Sequence, residues 1–279
     1  MLLGTSINKT QKLQSQSIFD DSICIEEPLE IIIEYYFQNL KKREAISITM
    51  RTPGNEAELA LGFLYTEGVI DSINEVEKIS TSFDCNDIEG RSQQCIVTLQ
   101  KSKIFQIDKI KRHFYANSSC GVCGKTSIDL SLESCPYILI KDFPQITKQT
   151  ILKLPHTLRN SQALFVQTGG CHGVALFNTN GDLIKVMEDI GRHNAMDKLI
   201  GYILKEKLAP LQNHVIVVSG RASFELIQKS LTVACSIFVA VGAPSSLAIS
   251  IAKEFNMSLI GFTKDTEANI YCNPQRIIE

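Results

Sequence analysis

The chain has 279 residues, 44% of them hydrophobic and 21% charged, a globular composition with apolar content for one large or two small cores; a disulfide-built mini-protein is excluded. Lys and Arg number 28 against 30 Asp and Glu, a formal net charge of −2, so no bulk field draws the chain to nucleic acid or to an anionic membrane. The longest apolar runs, such as Ile31–Ile33 and Val215–Val218, fall far short of the ~18 residues needed to span a bilayer.

Met1-Leu2-Leu3 has no basic region, apolar core or cleavage site behind it, and Lys9 to Ser17 is polar, which predicts a flexible tail over 1–20 and a cytoplasmic location. Nine widely spaced cysteines, an odd number, point to reduced thiols rather than a disulfide framework. Leu29–Ile33, Ala45–Met50 and Cys95–Leu99 have the length and β-branched content of strands. Between them Pro53-Gly54 breaks the chain, Asn55 is placed to cap, Glu56 and Glu58 suit a positive helix end, and Leu59, Ala60, Phe63 and Leu64 repeat at helical spacing up to Gly68. This pattern predicts a small α/β domain over 21–116. A basic run (Lys109, Lys111, Arg112, His113) and Asn117-Ser118-Ser119 then lead into Cys120-Gly121-Val122-Cys123-Gly124, whose small and polar residues predict a mobile connector over 117–135.

The region 136–279 is more regular. Ala163–Gln167 reads as a strand ending in Thr168-Gly169-Gly170, and Val174–Phe177 and Leu183–Met187 flank Asn180-Gly181, a pair suited to a tight hairpin. Asn194 is placed to cap a helix with Met196, Leu199, Ile200, Ile203 and Leu204 on one face. Strands at Val215–Val218, Ile237–Val241 and Leu259–Phe262 alternate with helices carrying Leu226, Ile227, Leu231 and Ala234, and spanning Leu247–Phe255. Such alternation predicts a sheet with parallel strands and helices on both faces.

Ligands in such sheets bind beyond the carboxyl ends of the strands, where short loops feed helix N-termini. Here those loops are Thr168-Gly169-Gly170, Ser219-Gly220-Arg221, Gly242-Ala243-Pro244-Ser245 and the segment after Phe262, rich in backbone N–H groups, hydroxyls and arginine. A phosphorylated ligand fits them. Glu188-Asp189-Ile190-Gly191-Arg192-His193-Asn194 concentrates charge between a strand and a helix. Arg192 offers a planar fork to phosphate and Asp189 or Asp197 an acceptor to a guanine edge, with His172 facing the same cleft. The plainer alternative is a solvated loop in which Glu188 and Arg192 pair.

Cys120 and Cys123 form the close thiol pair, and several chemistries compete for it. Structural zinc needs four ligands, and Cys85, Cys95 and Cys135 show no second CxxC or His pair at finger spacing. A thioredoxin-like dithiol belongs at a strand end entering a helix, whereas glycines flank this pair. A deaminase zinc site places H-x-E before P-C-x-x-C, and here the CxxC precedes the histidines. A persulfide carrier needs an accessible thiol on a swinging segment, which these flanks suit best.

Over nearly its whole length after the tail, the chain resembles the formate dehydrogenase accessory sulfurtransferase family. The resemblance rests on Glu27-Pro28-Leu29-Glu30-Ile31, Arg51-Thr52-Pro53-Gly54, Gly62-Phe63-Leu64 with Glu67-Gly68, and Ser119-Cys120-Gly121-Val122-Cys123-Gly124. It continues through Thr168-Gly169-Gly170 with His172, Glu188-Asp189 with Gly191-Arg192-His193-Asn194, Asp197-Lys198, Ser219-Gly220-Arg221 and Gly261-Phe262.

The resemblance implies an α/β protein whose C-terminal three-layer α/β/α domain is of cytidine-deaminase-like type without its zinc, beside the smaller N-terminal α/β domain. It implies a sulfur carrier that takes persulfide sulfur from a cysteine desulfurase and passes it to the molybdenum or tungsten bis(molybdopterin guanine dinucleotide) cofactor of formate dehydrogenase. Cys120 would hold the persulfide and Cys123 would assist or resolve it. The guanine dinucleotide, which GDP would mimic, would contact Gly169, Gly170, His172, Arg192, Asn194, Ser219, Arg221 and the segment Phe262, Thr263, Lys264, Asp265, Thr266 and Glu267. That segment departs from the family pattern, which carries arginines after Gly-Phe. A homodimer would present two nucleotide sites, with neither nucleic acid nor membrane as partner. The alternatives are a non-catalytic cofactor-delivery chaperone, with the same nucleotide loops, and a thiol-disulfide oxidoreductase, which needs none.

Overall fold

The computed structural model describes residues 2–83, 93–103, 137 and 139–279; Cys120, Cys123 and the whole expected connector lie outside the described residues. Residues 5–24, within and just beyond the expected tail, pair as an antiparallel hairpin of β1 (Thr5–Gln11) and β2 (Ile18–Cys24). Most of its side chains are exposed, so the hairpin carries no one-sided apolar alternation by which a sequence reveals a strand.

A four-stranded sheet follows, in the order β4-β3-β6-β5, from β3 (Glu27–Phe37), β4 (Leu40–Arg51), β5 (Val76–Phe83) and β6 (Gln93–Leu99). Leu29, Ile31 and Ile33 of β3, two residues apart and therefore on one face, are fully buried and join the same core as α1 (Glu56–Thr66). Asn55 occupies the cap position of α1 in a left-handed conformation (φ 59°), with no cap bond from its side chain.

β7 (Ile146–Thr147), which pairs in parallel with the last strand, β14 (Ile277–Ile278), precedes α2 (Lys148–Ser161). The next segment, expected as a strand, is instead the helix α3 (Ala163–Thr168). The Glu188 carboxylate accepts from the N–H of Leu164 (3.0 Å) and of Phe165 (2.9 Å), supplying the acceptors that a helix start lacks. A four-residue apolar run does not reveal such a distant partner.

The six-stranded sheet has the order β13-β12-β11-β10-β8-β9. Its members are β8 (His172–Asn178), β9 (Leu183–Asp189), β10 (His214–Val218), β11 (Ile237–Ala240), β12 (Ser258–Gly261) and β13 (Asn269–Cys272). The sheet is mixed: β10, β11 and β12 run parallel, joined through α5 (Phe224–Thr232) and α6 (Ser246–Glu254), while β8, β9 and β13 pair antiparallel. The expected hairpin at Asn180-Gly181 links β8 and β9, with Gly181 at φ 89° and Asn178 Oδ1 accepting from the N–H of Asn180 and of Asp182. One sheet face packs on α4 (Arg192–Lys205), α5 and α6. On the other face Ile151, Leu154 and Leu158 of α2 cover Phe177, Val215 and Val239, so helices do lie on both faces.

The two sheets share one core through α1 and α4, which cross at two glycines. A Cβ on Gly62 would sit 1.9 Å from the Asp197 carbonyl oxygen, and one on Gly201 1.9 Å from that of Glu58. Only glycine permits backbones so close.

Candidate anion-binding edge

The antiparallel entry of β8 brings His172, the end of β9 at Asp189 and the carboxyl ends of β10, β11 and β12 to one edge of the large sheet. The loops there are bonded to one another: Gly242 N–H donates to Gly220 O (2.9 Å), Phe262 N–H to Gly242 O (3.1 Å), and Ala222 N–H to Ala243 O (3.1 Å). Ser219 Oγ accepts from Gly173 N–H at 2.9 Å, tying the loop after β10 to β8. The His172 ring lies beside Gly220, where a Cβ would be 3.5 Å from Nδ1.

Positive charge gathers around this ring. Burial, and then Arg192 and His193, push the His172 pKa below its ordinary 6.5, leaving a neutral imidazole at pH 7. Arg192, partly buried, and Arg221, exposed, pair with no carboxylate among the described residues. The helix starts of α5 and α6 point into the same loops, with Ser223 and Ser245 at their cap positions and only Ser245 Oγ accepting a cap bond, from Ala248 N–H. Two hydroxyls beneath this rim, Ser223 Oγ and Thr263 Oγ1, are buried without a hydrogen-bond partner among the described residues, and Thr263 is only 1% exposed. Phe262 stands at the rim at φ 51° and 44% exposed, an apolar face beside the charges. An edge with two helix starts, two guanidiniums that meet no carboxylate among the described residues and an exposed aromatic ring can hold an anion attached to a flat ring.

Behind the edge the Glu188–Asn194 segment acts as a clip. Asp189 Oδ2 lies 2.7 Å from Lys198 Nζ and accepts from Thr52 N–H at 3.1 Å; Lys198 Nζ also donates to Thr52 O at 2.8 Å. Asp189 Oδ1 accepts from Gly191 N–H and from Asn194 Nδ2, which also reaches Met50 O at 2.7 Å.

The FdhD/NarQ family model matches residues 24–278. The chain belongs to the FdhD/NarQ family. A protein named sulfur carrier protein FdhD from Mycolicibacterium paratuberculosis is 40% identical over 258 residues, 92% of each chain. One of the same name from Saccharolobus solfataricus is 40% identical over 259 residues, 92% of this chain and 91% of that one. A crystal structure of a putative formate dehydrogenase accessory protein from Desulfotalea psychrophila shares the fold at TM-score 0.73 and 23% identity, covering 99% of this chain and all of that one.

Within this FdhD/NarQ chain, His172, Arg192, Ser219, Arg221, Phe262 and Thr263 gather at the edge. Gly169 (φ 66°), with open space beside it, ends α3, and Gly170 turns against Cys24 of the first hairpin. Asn194 is not the cap of α4, whose cap position is Gly191; its amide faces Met50 and Thr49 of the small sheet. Lys264 pairs with Glu267 at 2.6 Å in an exposed turn that also carries Asp265 and Thr266, so the two opposite charges of the departed segment satisfy each other. Neither Asp189 nor Asp197 can meet a guanine edge, since both are buried and matched, to Lys198 and to Lys229 (2.8 Å). Glu188 serves α3 rather than Arg192, which removes the solvated pair as an account of that segment. Lys198 and Thr52 were missed as organisers. The available signal is a lysine inside an otherwise buried helical run, where a charge requires a partner.

Proposed function

We propose that this chain is a sulfur carrier for formate dehydrogenase maturation, which accepts persulfide sulfur from a cysteine desulfurase and delivers it to a molybdenum or tungsten bis(molybdopterin guanine dinucleotide) substrate. The observation that carries the proposal is the edge around His172, with Arg192 and Arg221 unmatched by carboxylates among the described residues and helix starts α5 and α6 alongside. Family membership and the names of the relatives support the sulfur-carrying and formate dehydrogenase parts of this reading. The guanine dinucleotide would lay its phosphates against the arginines and its base against the Phe262 ring. The large sheet with its two helical layers would serve as the cytidine-deaminase-like part.

Chemically, the Cys120 thiolate attacks the outer sulfur of the desulfurase persulfide, forming Cys120–S–SH and releasing the desulfurase thiolate. Attack by Cys123 on the inner sulfur then forms a Cys120–Cys123 disulfide and releases the outer sulfur as hydrosulfide, the two electrons coming from the Cys123 thiolate. A thiol reductant restores the pair. At an ordinary pKa near 8.5 only about 3% of a thiol is ionised at pH 7, so a basic neighbourhood aids the first attack.

Intact mass after incubation with a cysteine desulfurase and free cysteine tests the proposal. Added sulfur is expected to accumulate on Cys123→Ser, to be held by wild type only until Cys123 releases it, and to be missing from Cys120→Ser; equal loading of Cys120→Ser overturns the assignment. Calorimetry with GDP is expected to give the same affinity for wild type and the Cys120→Ser, Cys123→Ser double variant. Nucleotide binding without any sulfur uptake would favour the delivery chaperone.

A further inference from the structure

Among the described residues, the fold brings two cysteines that are 147 positions apart in sequence onto one hydroxyl. Cys24, at the end of β2, has its Sγ 3.1 Å from Thr52 Oγ1, and Cys171, just before β8, has its Sγ 4.0 Å from the same oxygen. The Cys24 side chain is also near enough to help raise the pKa of the Cys171 thiol. Their backbones are close: a Cβ on Gly170, the residue preceding Cys171, would meet Cys24 Cβ at 3.3 Å. Thr52 is itself fixed, its Oγ1 accepting from Ile190 N–H at 3.1 Å and its N–H donating to Asp189. Both sulfurs are therefore held in place by the clip, and neither bridges to another cysteine.

We propose that Cys24 and Cys171 form a second, redox-active dithiol, which closes to a disulfide under a two-electron oxidant of the peroxide or diazene class. Cys24 is half-buried and meets the oxidant, whereas Cys171 is 4% exposed. With hydrogen peroxide, the Cys24 sulfur takes one oxygen as a sulfenic acid and the other leaves as water. The Cys171 sulfur then attacks the Cys24 sulfur, the S–O bond breaks, and the departing hydroxyl takes the Cys171 proton to leave as a second water. In sum two thiols lose two electrons and two protons, and one peroxide becomes two waters. Burial, and then the neighbouring Cys24, hold the Cys171 thiol up at about 12, so Cys171 remains protonated until its partner is oxidised. The bond would fasten the first hairpin to the Gly169-Gly170 turn without involving the persulfide pair.

The full-length folded chain is treated with diamide, its remaining thiols are alkylated, and it is digested without reduction for peptide mass spectrometry. The expected result is a peptide joining Cys24 to Cys171, present equally in the Cys120→Ser, Cys123→Ser variant and absent from Cys171→Ser. In Cys171→Ser, peroxide with dimedone should instead trap Cys24 as its sulfenic adduct. Recovery of both cysteines as alkylated thiols after oxidation of wild type would overturn the proposal, as would linkage of Cys24 to any other cysteine. The decisive readout is on wild type, so poor folding of a variant does not obscure it.

Discussion

Lys198 Nζ and Asp189 Oδ2 are 2.7 Å apart with side chains 1% and 0% exposed, one ion pair that fastens the middle of α4 to both the end of β9 and the backbone of Thr52. Removing one member of such a pair leaves a buried charge without compensation, at a cost of about 3–5 kcal/mol. Lys198→Met is expected to lose stability of that order in urea denaturation. A loss under ~1 kcal/mol would mean that the pair is not what holds the clip.

The crossing of α1 and α4 makes a second prediction. Because a methyl at Gly62 would meet the Asp197 carbonyl oxygen at 1.9 Å, Gly62→Ala must push the helices apart, costing at least the ~1–3 kcal/mol usual for overpacking. Gly68→Ala is a useful contrast: that Cβ meets nothing within 4 Å, and its only burden is the positive φ of 68°. A melting temperature for Gly62→Ala equal to wild type would refute the close crossing.

Arg192→Lys keeps the charge and loses the fork. Charge-assisted bonds to phosphate contribute about 1.5–3 kcal/mol each, so GDP affinity should fall roughly tenfold or more while the melting temperature stays at the wild-type value. An unchanged affinity in calorimetry would remove Arg192 from the anion site. Glu267→Arg breaks the Lys264 pair and adds a cation to the exposed turn. Tighter GDP binding would bring that turn into the site, and no change would take it out.

His172 supplies a pH dependence. Its pKa lies below 6.5 in the free protein, chiefly through burial and then through Arg192 and His193. A bound phosphate adds negative charge beside the ring and raises that pKa, so binding takes up protons and GDP affinity should increase as pH falls through the region below 6.5. The His172 ring signal in proton NMR, titrated with and without GDP, reads both values. A His172 pKa that GDP leaves unmoved would separate the ring from the ligand.

Glu34 sets a second, purely structural dependence. Lys41 leads in holding its carboxyl down to about 2 from an ordinary 4.5, with Arg43 and Thr98 assisting against burial. A carboxylate whose folded pKa is depressed contributes its full stability above the unfolded value and loses it as pH falls from about 4.5 toward 2. Glu34→Gln should therefore flatten the acid limb of stability against pH between those values. Identical acid limbs would contradict the assigned contacts.

What the sequence made legible was local. The turn at Asn180-Gly181, the apolar repeat of Leu59 to Leu64 and the β-branched runs at Val215–Val218 and Ile237–Ala240 each state their structure within a few residues. The glycine- and arginine-bearing loops could also be placed at strand ends, and the edge around His172 contains them. Long-range partners were not legible. Glu188 turns an apolar run into α3 from 24 positions away, and Asn194 is drawn from a helix cap to Met50 across 144 positions. The lysines that neutralise Asp189 and Asp197 lie on α4 and α5, so only the folded chain shows those acids to be occupied.

The backbone bonds running from Gly220 to Gly242 to Phe262 make three loops into one fabric, since each holds its neighbour by a main-chain N–H that no substitution but proline removes. Side chains at this edge can therefore be exchanged with little disturbance to its shape. Loop length cannot: one residue inserted between Val218 and Ala222 would put the Gly220 carbonyl out of step with Gly242, and the slip would pass to Phe262 and the helix starts beyond. The edge tolerates new chemistry and resists new spacing.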